Sequence, residues 1–114
     1  DEESKRLTFS QAATGASGIE TLLSLSLELY HNESLKLETI IKALTCNPAK
    51  ILKINKGNLS VGNDADLCIV DIEKPWIVKK DKLVSKSKNT SIEDKKLQGK
   101  VTNTFVKGKE LFKL

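Results

Sequence analysis

Ten residues from Ala12 to Thr21, reading Ala-Ala-Thr-Gly-Ala-Ser-Gly-Ile-Glu-Thr, carry the residue types best suited to meeting a ligand. Gly15 and Gly18 have no Cβ, so the segment can take positive φ and let a ligand or another backbone come close to its peptide groups. Ser17 or Gly18 is placed to cap the helix that follows, whose first N–H groups form an anion-binding surface. Turns of small residues that only start helices share this pattern, so the run by itself does not establish a binding site.

The other reactive residue types are scattered. His31 is the sole histidine and stands beside Asn32 at a polar helix end, where its charge complements the helix C-terminus. One isolated histidine builds no metal site. Cys46 and Cys68 lie in apolar surroundings without a neighbouring Cys or His, which predicts buried free thiols in a reducing compartment. No base is suggested beside any Ser or Cys nucleophile. Asp64 and Asp66 are paired carboxylates, but their setting in Gly-Asn-Asp-Ala-Asp-Leu predicts turn hydrogen bonding rather than acid–base work. Glu20 is expected to bond the free amides of its own segment. On its own residues, then, the chain should not catalyse.

Composition narrows the class. With 114 residues, 39% hydrophobic and 30% charged, the chain suits one small folded domain or part of a larger one. No apolar run reaches the length of a membrane span and no signal-peptide pattern opens the sequence, so a membrane partner is not expected and the cytoplasm is. Asp1 in first place and the absence of Met predict that a preceding stretch has been removed or that this is a piece of something longer. The net charge of +4 comes from the last third, where eleven lysines face four acids from Lys79 onward. A nucleic-acid surface would need arginines and stacking aromatics, and here Arg6 is the sole arginine and aromatics make up 4%. The lysines therefore read as a solvated surface that also discourages strand edges from pairing.

Three helices and a group of strands must position the opening run. Asp1–Ser10 reads as a polar loop. Ile19–Tyr30 follows a helical period, with Ile19, Leu22, Leu23, Leu27 and Tyr30 on one face, and should be largely buried. A second helix is expected over Leu37–Thr45, capped from Ser34–Lys36, with Leu37, Ile40, Ile41 and Leu44 as its stripe. Asn47 as N-cap and Pro48 at the first helical position predict a short third helix to Leu52. Past Lys56-Gly57 the pattern turns to β: Leu59 and Val61 alternate with polar residues, and Gly62-Asn63-Asp64 forms a turn. Leu67–Ile72 then makes a strand that Pro75 interrupts, with extended structure resuming over Trp76–Val78. Leu83–Thr90 is a polar loop, and Val101–Val106, Lys107-Gly108 and Glu110–Phe112 form a terminal hairpin.

Taken together, several segments resemble a known superfamily. Asn47-Pro48-Ala49-Lys50-Ile51-Leu52, then Lys56-Gly57-Asn58-Leu59 and Gly62-Asn63-Asp64-Ala65-Asp66-Leu67, resemble the C-terminal signature of the amidohydrolases. Asp1–Lys5, Phe9, Ala12-Ala13-Thr14-Gly15 and Gly18-Ile19-Glu20-Thr21 resemble the stretch after the last barrel strand of class I dihydroorotases, and Ser85-Lys86-Ser87-Lys88-Asn89-Thr90 with Gly99 and Gly108 resembles that family's tail.

This resemblance implies an α/β fold, with residues 1–56 as the C-terminal helices of a metal-dependent (β/α)8 barrel carrying a substrate loop. Residues 57–114 would be part of a small β-sandwich. Strands from the upstream part of the protein would complete that sandwich, so the sheet here should have an unpaired edge. The implied reaction is the reversible cyclisation of N-carbamoyl-L-aspartate to dihydroorotate in pyrimidine biosynthesis. Its zinc would be held by histidines and an aspartate, in part within an Asp-His-Ala-Pro-His segment just before Asp1. No catalytic residue and no metal ligand would then belong to this chain, which alone should be inactive. Thr14 and Gly15 match the pair that lines the substrate pocket through backbone amides and carbonyls. Many family members carry Pro or Phe near Thr14, a difference that a backbone contact would survive.

Implied partners are the missing N-terminal part of the same protein, a second copy in a homodimer, or aspartate transcarbamoylase. The alternatives are a non-catalytic dihydroorotase-like scaffold, a sister cyclic amidohydrolase (allantoinase or dihydropyrimidinase), or a lysine-rich binding module.

Overall fold

A computed structural model describes residues 3–114; the readings that fall on Asp1 and Glu2 lie outside the described residues. Helical periodicity in the first half and β alternation in the second yield three helices followed by one sheet. These are α1 (Leu22–His31), α2 (Leu37–Leu44), α3 (Cys46–Leu52), β1 (Leu67–Ile77), β2 (Lys96–Val106) and β3 (Lys109–Lys113). Single 3₁₀ turns lie at Glu3–Lys5, within the expected polar loop, and at Lys80–Lys82.

The sheet is antiparallel in the order β1-β2-β3, so β1 and β3 are its outer strands. Pairing runs from Leu67 opposite Phe105 to Ile77 opposite Lys96, with the register slipping between Ile69 and Val70 and again between Asp71 and Pro75. Pro75 thus does not divide the strand as expected. It sits at the end of an irregular stretch on an outer strand, where a missing N–H is tolerated. Lys107 and Gly108, with φ of 51° and 77°, make the tight β2–β3 turn, whose handedness matches the strand twist. β2 begins at Lys96, five residues before the expected Val101, because lysine, glutamine and glycine masked its alternation. The alternation of Leu59 and Val61 produces no strand, and both side chains are exposed.

The core lies where α1 crosses β2. Leu27 is fully buried, and Ile40, Ala49, Val78, Leu83 and Leu97 are nearly so. Gly99 on β2 makes the crossing possible: its φ is +94°, and a Cβ there would fall on Leu27 Cδ1. Ser24, one turn before Leu27, donates its Oγ–H to the Gly99 carbonyl (2.6 Å) and accepts the Trp76 indole N–H (3.1 Å). Lys100 Nζ stands 4.5 Å from the centre of the Trp76 ring, a cation–π contact over the same junction.

The helix boundaries differ from expectation in instructive ways. α1 starts at Leu22 instead of Ile19, and its buried face is Thr21, Ser24 and Leu27, two of them polar, while Ile19 is 87% exposed. Neither Ser17 nor Gly18 caps it; Thr21 is the N-cap and turns its hydroxyl back to the Gly18 carbonyl. Lys36 stands at the N-cap of α2 without a side-chain cap bond. Asn47 is not the cap of α3 either: the helix opens at Cys46, with Thr45 outside it and Pro48 still in the first turn, where its missing N–H has no helical partner to lose. His31 closes α1 as the basic residue of its last turn, and its ring also ties α1 to β1: Nε2 lies 3.0 Å from the Ile72 carbonyl and Nδ1 3.9 Å from the Glu73 carboxylate. Both cysteines are free, but Cys68 is exposed and Cys46 half-buried, against the expected burial, because Cys68 falls on an outer strand.

Candidate ligand-binding loop

The run of small residues forms a loop in front of α1, and its geometry is set by bonds to its carbonyls. Gly15 has φ of +92°, with open space where a Cβ would be, so the backbone is exposed to approach at this point. The Lys5 ammonium donates to the carbonyls of Ala13 (2.5 Å) and Gly15 (2.6 Å). The Asn89 side-chain amide donates to the same Gly15 carbonyl (2.9 Å). Ser17 donates its N–H to the Asn89 carbonyl (2.7 Å) and its hydroxyl to the Ser87 carbonyl (2.7 Å). Thr14 is exposed. Among the described residues, the N–H groups of Thr14, Gly15 and Ala16 have no hydrogen-bond partner.

Glu20 fastens the far end of the loop to the same distant segment. Its carboxylate accepts the N–H groups of Val84 (3.0 Å) and Ser85 (2.9 Å), not those of its own helix as the sequence suggested. Partial burial pushes its pKa up, but those two N–H donors, with Lys88 and Lys100 nearby, outweigh it and hold the carboxyl below its ordinary value of 4.5. A shallow cleft of about 660 Å³, lined by Ala16, Ser17, Ile19, Glu20, Leu83 and Ser85, runs along this junction. Thr14 and Gly15 lie beyond its lining. A larger cleft of about 860 Å³, lined by His31, Trp76 and Lys96 among others, sits at the opposite end of α1.

Asp64 and Asp66 do join in turn structure, and their principal partner is a lysine. Lys56 Nζ reaches Asp64 (2.9 Å) and Asp66 (2.6 Å), and Asp66 also accepts the Lys107 N–H (2.7 Å). The Lys56 ammonium and the Lys107 N–H hold Asp66 below its ordinary carboxylate range. These carboxylates are occupied in pinning segment 56–66 to the β2–β3 turn.

Three consecutive unpartnered N–H donors around an open, positive-φ glycine suit a ligand edge rich in acceptors, such as a carboxylate or a row of carbonyl oxygens. Glu20, the carboxylate beside the loop, is engaged by two peptide N–H groups. Among the described residues no cluster of three or more His, Cys, Asp or Glu could hold a metal ion. No helix among them is long and apolar enough to cross a membrane. The roles of Lys5, Ser17 and Asn89 escaped sequence reasoning. Serine, lysine and asparagine in a polar stretch give no periodic signal, and the bond from Asn89 to Gly15 spans 74 residues.

Residues 7–111 match the Amidohydrolase family. A dihydroorotase of Ehrlichia chaffeensis is 42% identical over 113 residues, covering 99% of this chain and 25% of that protein. A dihydroorotase of Geobacter metallireducens is 40% identical over 111 residues, covering 97% of this chain and 26% of that one. Among solved structures, the L-hydantoinase (dihydropyrimidinase) of Arthrobacter aurescens superposes with a TM-score of 0.83 at 32% identity, over 91% of this chain and 24% of its own. The chain thus spans about a quarter of the length of the relatives it matches.

Proposed function

This chain belongs to the amidohydrolase family, and from that premise we propose that it is the C-terminal quarter of a class I dihydroorotase. In this reading α1–α3 are the last helices of the (β/α)8 barrel, and β1–β3 are part of the appended β-sandwich. The whole protein interconverts N-carbamoyl-L-aspartate and dihydroorotate in pyrimidine biosynthesis. Zinc would be supplied by ligands outside this chain, so no catalytic step is assigned to residues here.

The observation that carries the reading is the loop at Gly15. Its run of open N–H donors matches the carboxylate and carbonyl edges of dihydroorotate, and it lies at Thr14-Gly15, where the family resemblance places substrate contacts. Thr14 and Gly15 therefore bind substrate through their peptide groups.

Substituting Gly15→Val in the full-length protein tests this. A β-branched side chain at φ of +92° strains the loop and fills the open approach. The Michaelis constant for dihydroorotate should rise by about tenfold or more, the size of one or more lost ligand hydrogen bonds. Unchanged KM and turnover remove Gly15 from the pocket. The purified 114-residue chain, loaded with metal, should show no turnover, and robust turnover would sink the division of labour proposed.

The likeness to a dihydropyrimidinase supports a second reading, a sister cyclic amidohydrolase with the same loop. Full-length protein that hydrolyses hydantoin or dihydrouracil and leaves dihydroorotate untouched would decide for it.

A further inference from the structure

The binding loop is aimed by residues that no ligand need touch. In a trans peptide the C=O and the following N–H point in opposite directions within one plane. Holding the Ala13 carbonyl therefore aims the Thr14 N–H, and holding the Gly15 carbonyl aims the Ala16 N–H. Lys5 holds both carbonyls, and Asn89 holds the second from another direction. The Asn89 backbone carbonyl takes the Ser17 N–H as well, so one residue fixes the peptide planes on either side of Ala16.

We propose that Asn89 and Lys5 are positioning residues: they occupy the loop's carbonyls and so turn the N–H groups of Thr14 and Ala16 to the face away from the Lys5 ammonium, where they meet separate acceptors of an acceptor-rich ligand. This deepens the dihydroorotase reading and rests on it for the identity of that ligand. It adds Ala16 to the contact set through its backbone. It also gives the polar segment 83–90 a function, that of a strap carrying the aiming groups to the loop from the other end of the chain. Segment 83–90 is itself well placed for the task, since Glu20 grips it at Val84 and Ser85 and the Lys88 ammonium closes back on the Leu83 carbonyl.

The test uses the full-length protein with Asn89→Ala, Asn89→Asp and Lys5→Met. Asn89→Asp keeps the side chain's shape and loses the donor, which separates aiming from packing. Two readouts are needed: steady-state kinetics on dihydroorotate, and hydrogen exchange in peptides covering residues 12–18.

Each variant should raise KM by about tenfold while kcat stays within about twofold, as expected for lost ligand binding with the reacting groups left in place. Exchange should quicken in 12–18 and stay unchanged in β2. Unchanged exchange in 12–18 overturns the proposal, because the carbonyl bonds then do not hold the loop. Faster exchange with unchanged KM also overturns it, because the aimed N–H groups then do not meet the substrate. A fall in kcat equal to the rise in KM does so too, since it marks general damage. If the parent protein does not turn over dihydroorotate, the substrate assignment fails by itself, and exchange in 12–18 still decides whether the strap aims the loop.

Discussion

The contact between α1 and β2 and the contact between segments 12–18 and 83–90 join distant parts of the chain by opposite means. The first is close packing: Leu27, fully buried, lies over Gly99, where no side chain intervenes. The second is a set of bonds to peptide groups, from Asn89, Ser17, Lys5 and Glu20, in a polar and largely exposed setting. Packing responds to volume, so a single methyl group matters there. The polar strap responds to donor and acceptor geometry, so a side chain can change size while its partner's peptide plane stays put. A binding loop gains from the second arrangement, because its direction is set without apolar bulk crowding the ligand.

The sharpest way to break this contrast is to add one carbon to the packed side. Gly99→Ala places a Cβ on Leu27 Cδ1 and forces a side chain into positive φ. Overpacking of this kind costs about 1–3 kcal/mol and the left-handed backbone about 1–2 more, so a loss of about 3–4 kcal/mol is expected in denaturant unfolding. Leu27→Ala should cost about 3 kcal/mol by leaving a cavity. The double variant should lose less than the sum by about 1 kcal/mol or more, because the shortened side chain leaves room for the new methyl. Strict additivity would mean that Leu27 and Gly99 do not meet.

The same contrast explains what could be read in the sequence. Helical and β alternation revealed all three helices, the terminal hairpin and the first strand, because packing leaves its mark as apolar spacing. It failed where packing is carried by small or polar residues. Apolar spacing finds Leu27 but passes over Thr21 and Ser24, which are buried beside it, and it includes Ile19, which is exposed. The start of β2 was hidden for the same reason, since Gly99 is buried without contributing an apolar side chain. At the loop, the glycines at 15 and 18 were legible as permissive backbone, and Gly15 does take positive φ. The strap was not legible. Which carbonyl a serine or asparagine seventy or more residues away will find depends on the finished fold, and no local spacing encodes it.

Ser24 lies between the two regimes, being a buried polar residue within the packed contact. Its hydroxyl donates to Gly99 and accepts from Trp76, so removing it leaves an indole N–H and a carbonyl without their partner. Ser24→Ala should cost about 1–3 kcal/mol, less than either packing change and more than a surface hydrogen bond. Trp76 fluorescence should report the loss of its acceptor. A variant as stable as the parent would assign the junction to packing alone.

The smallest effect is expected at Glu20, and it probes the polar side directly. Its folded carboxyl pKa lies below the ordinary 4.5, because the N–H groups of Val84 and Ser85 and the nearby lysines outweigh the burial that opposes them. A depressed pKa in the folded state means the stabilisation is fully present above the unfolded value and lost as pH falls through the folded one. Protection of the amides in 83–87, corrected for intrinsic exchange, should therefore weaken below about pH 4.5 while the α1–β2 junction keeps its protection. In Glu20→Gln one carboxylate oxygen becomes an NH₂ that cannot accept, so one of the two N–H bonds is lost at every pH and the pH dependence disappears. The acceptor is exposed, so the change should stay below about 1 kcal/mol. If the strap and the packed junction loosen together on acidification, the two contacts are one cooperative unit and the division between them is wrong. If the strap alone loosens, the loop's direction is adjustable by surface chemistry without disturbing the framework that carries it.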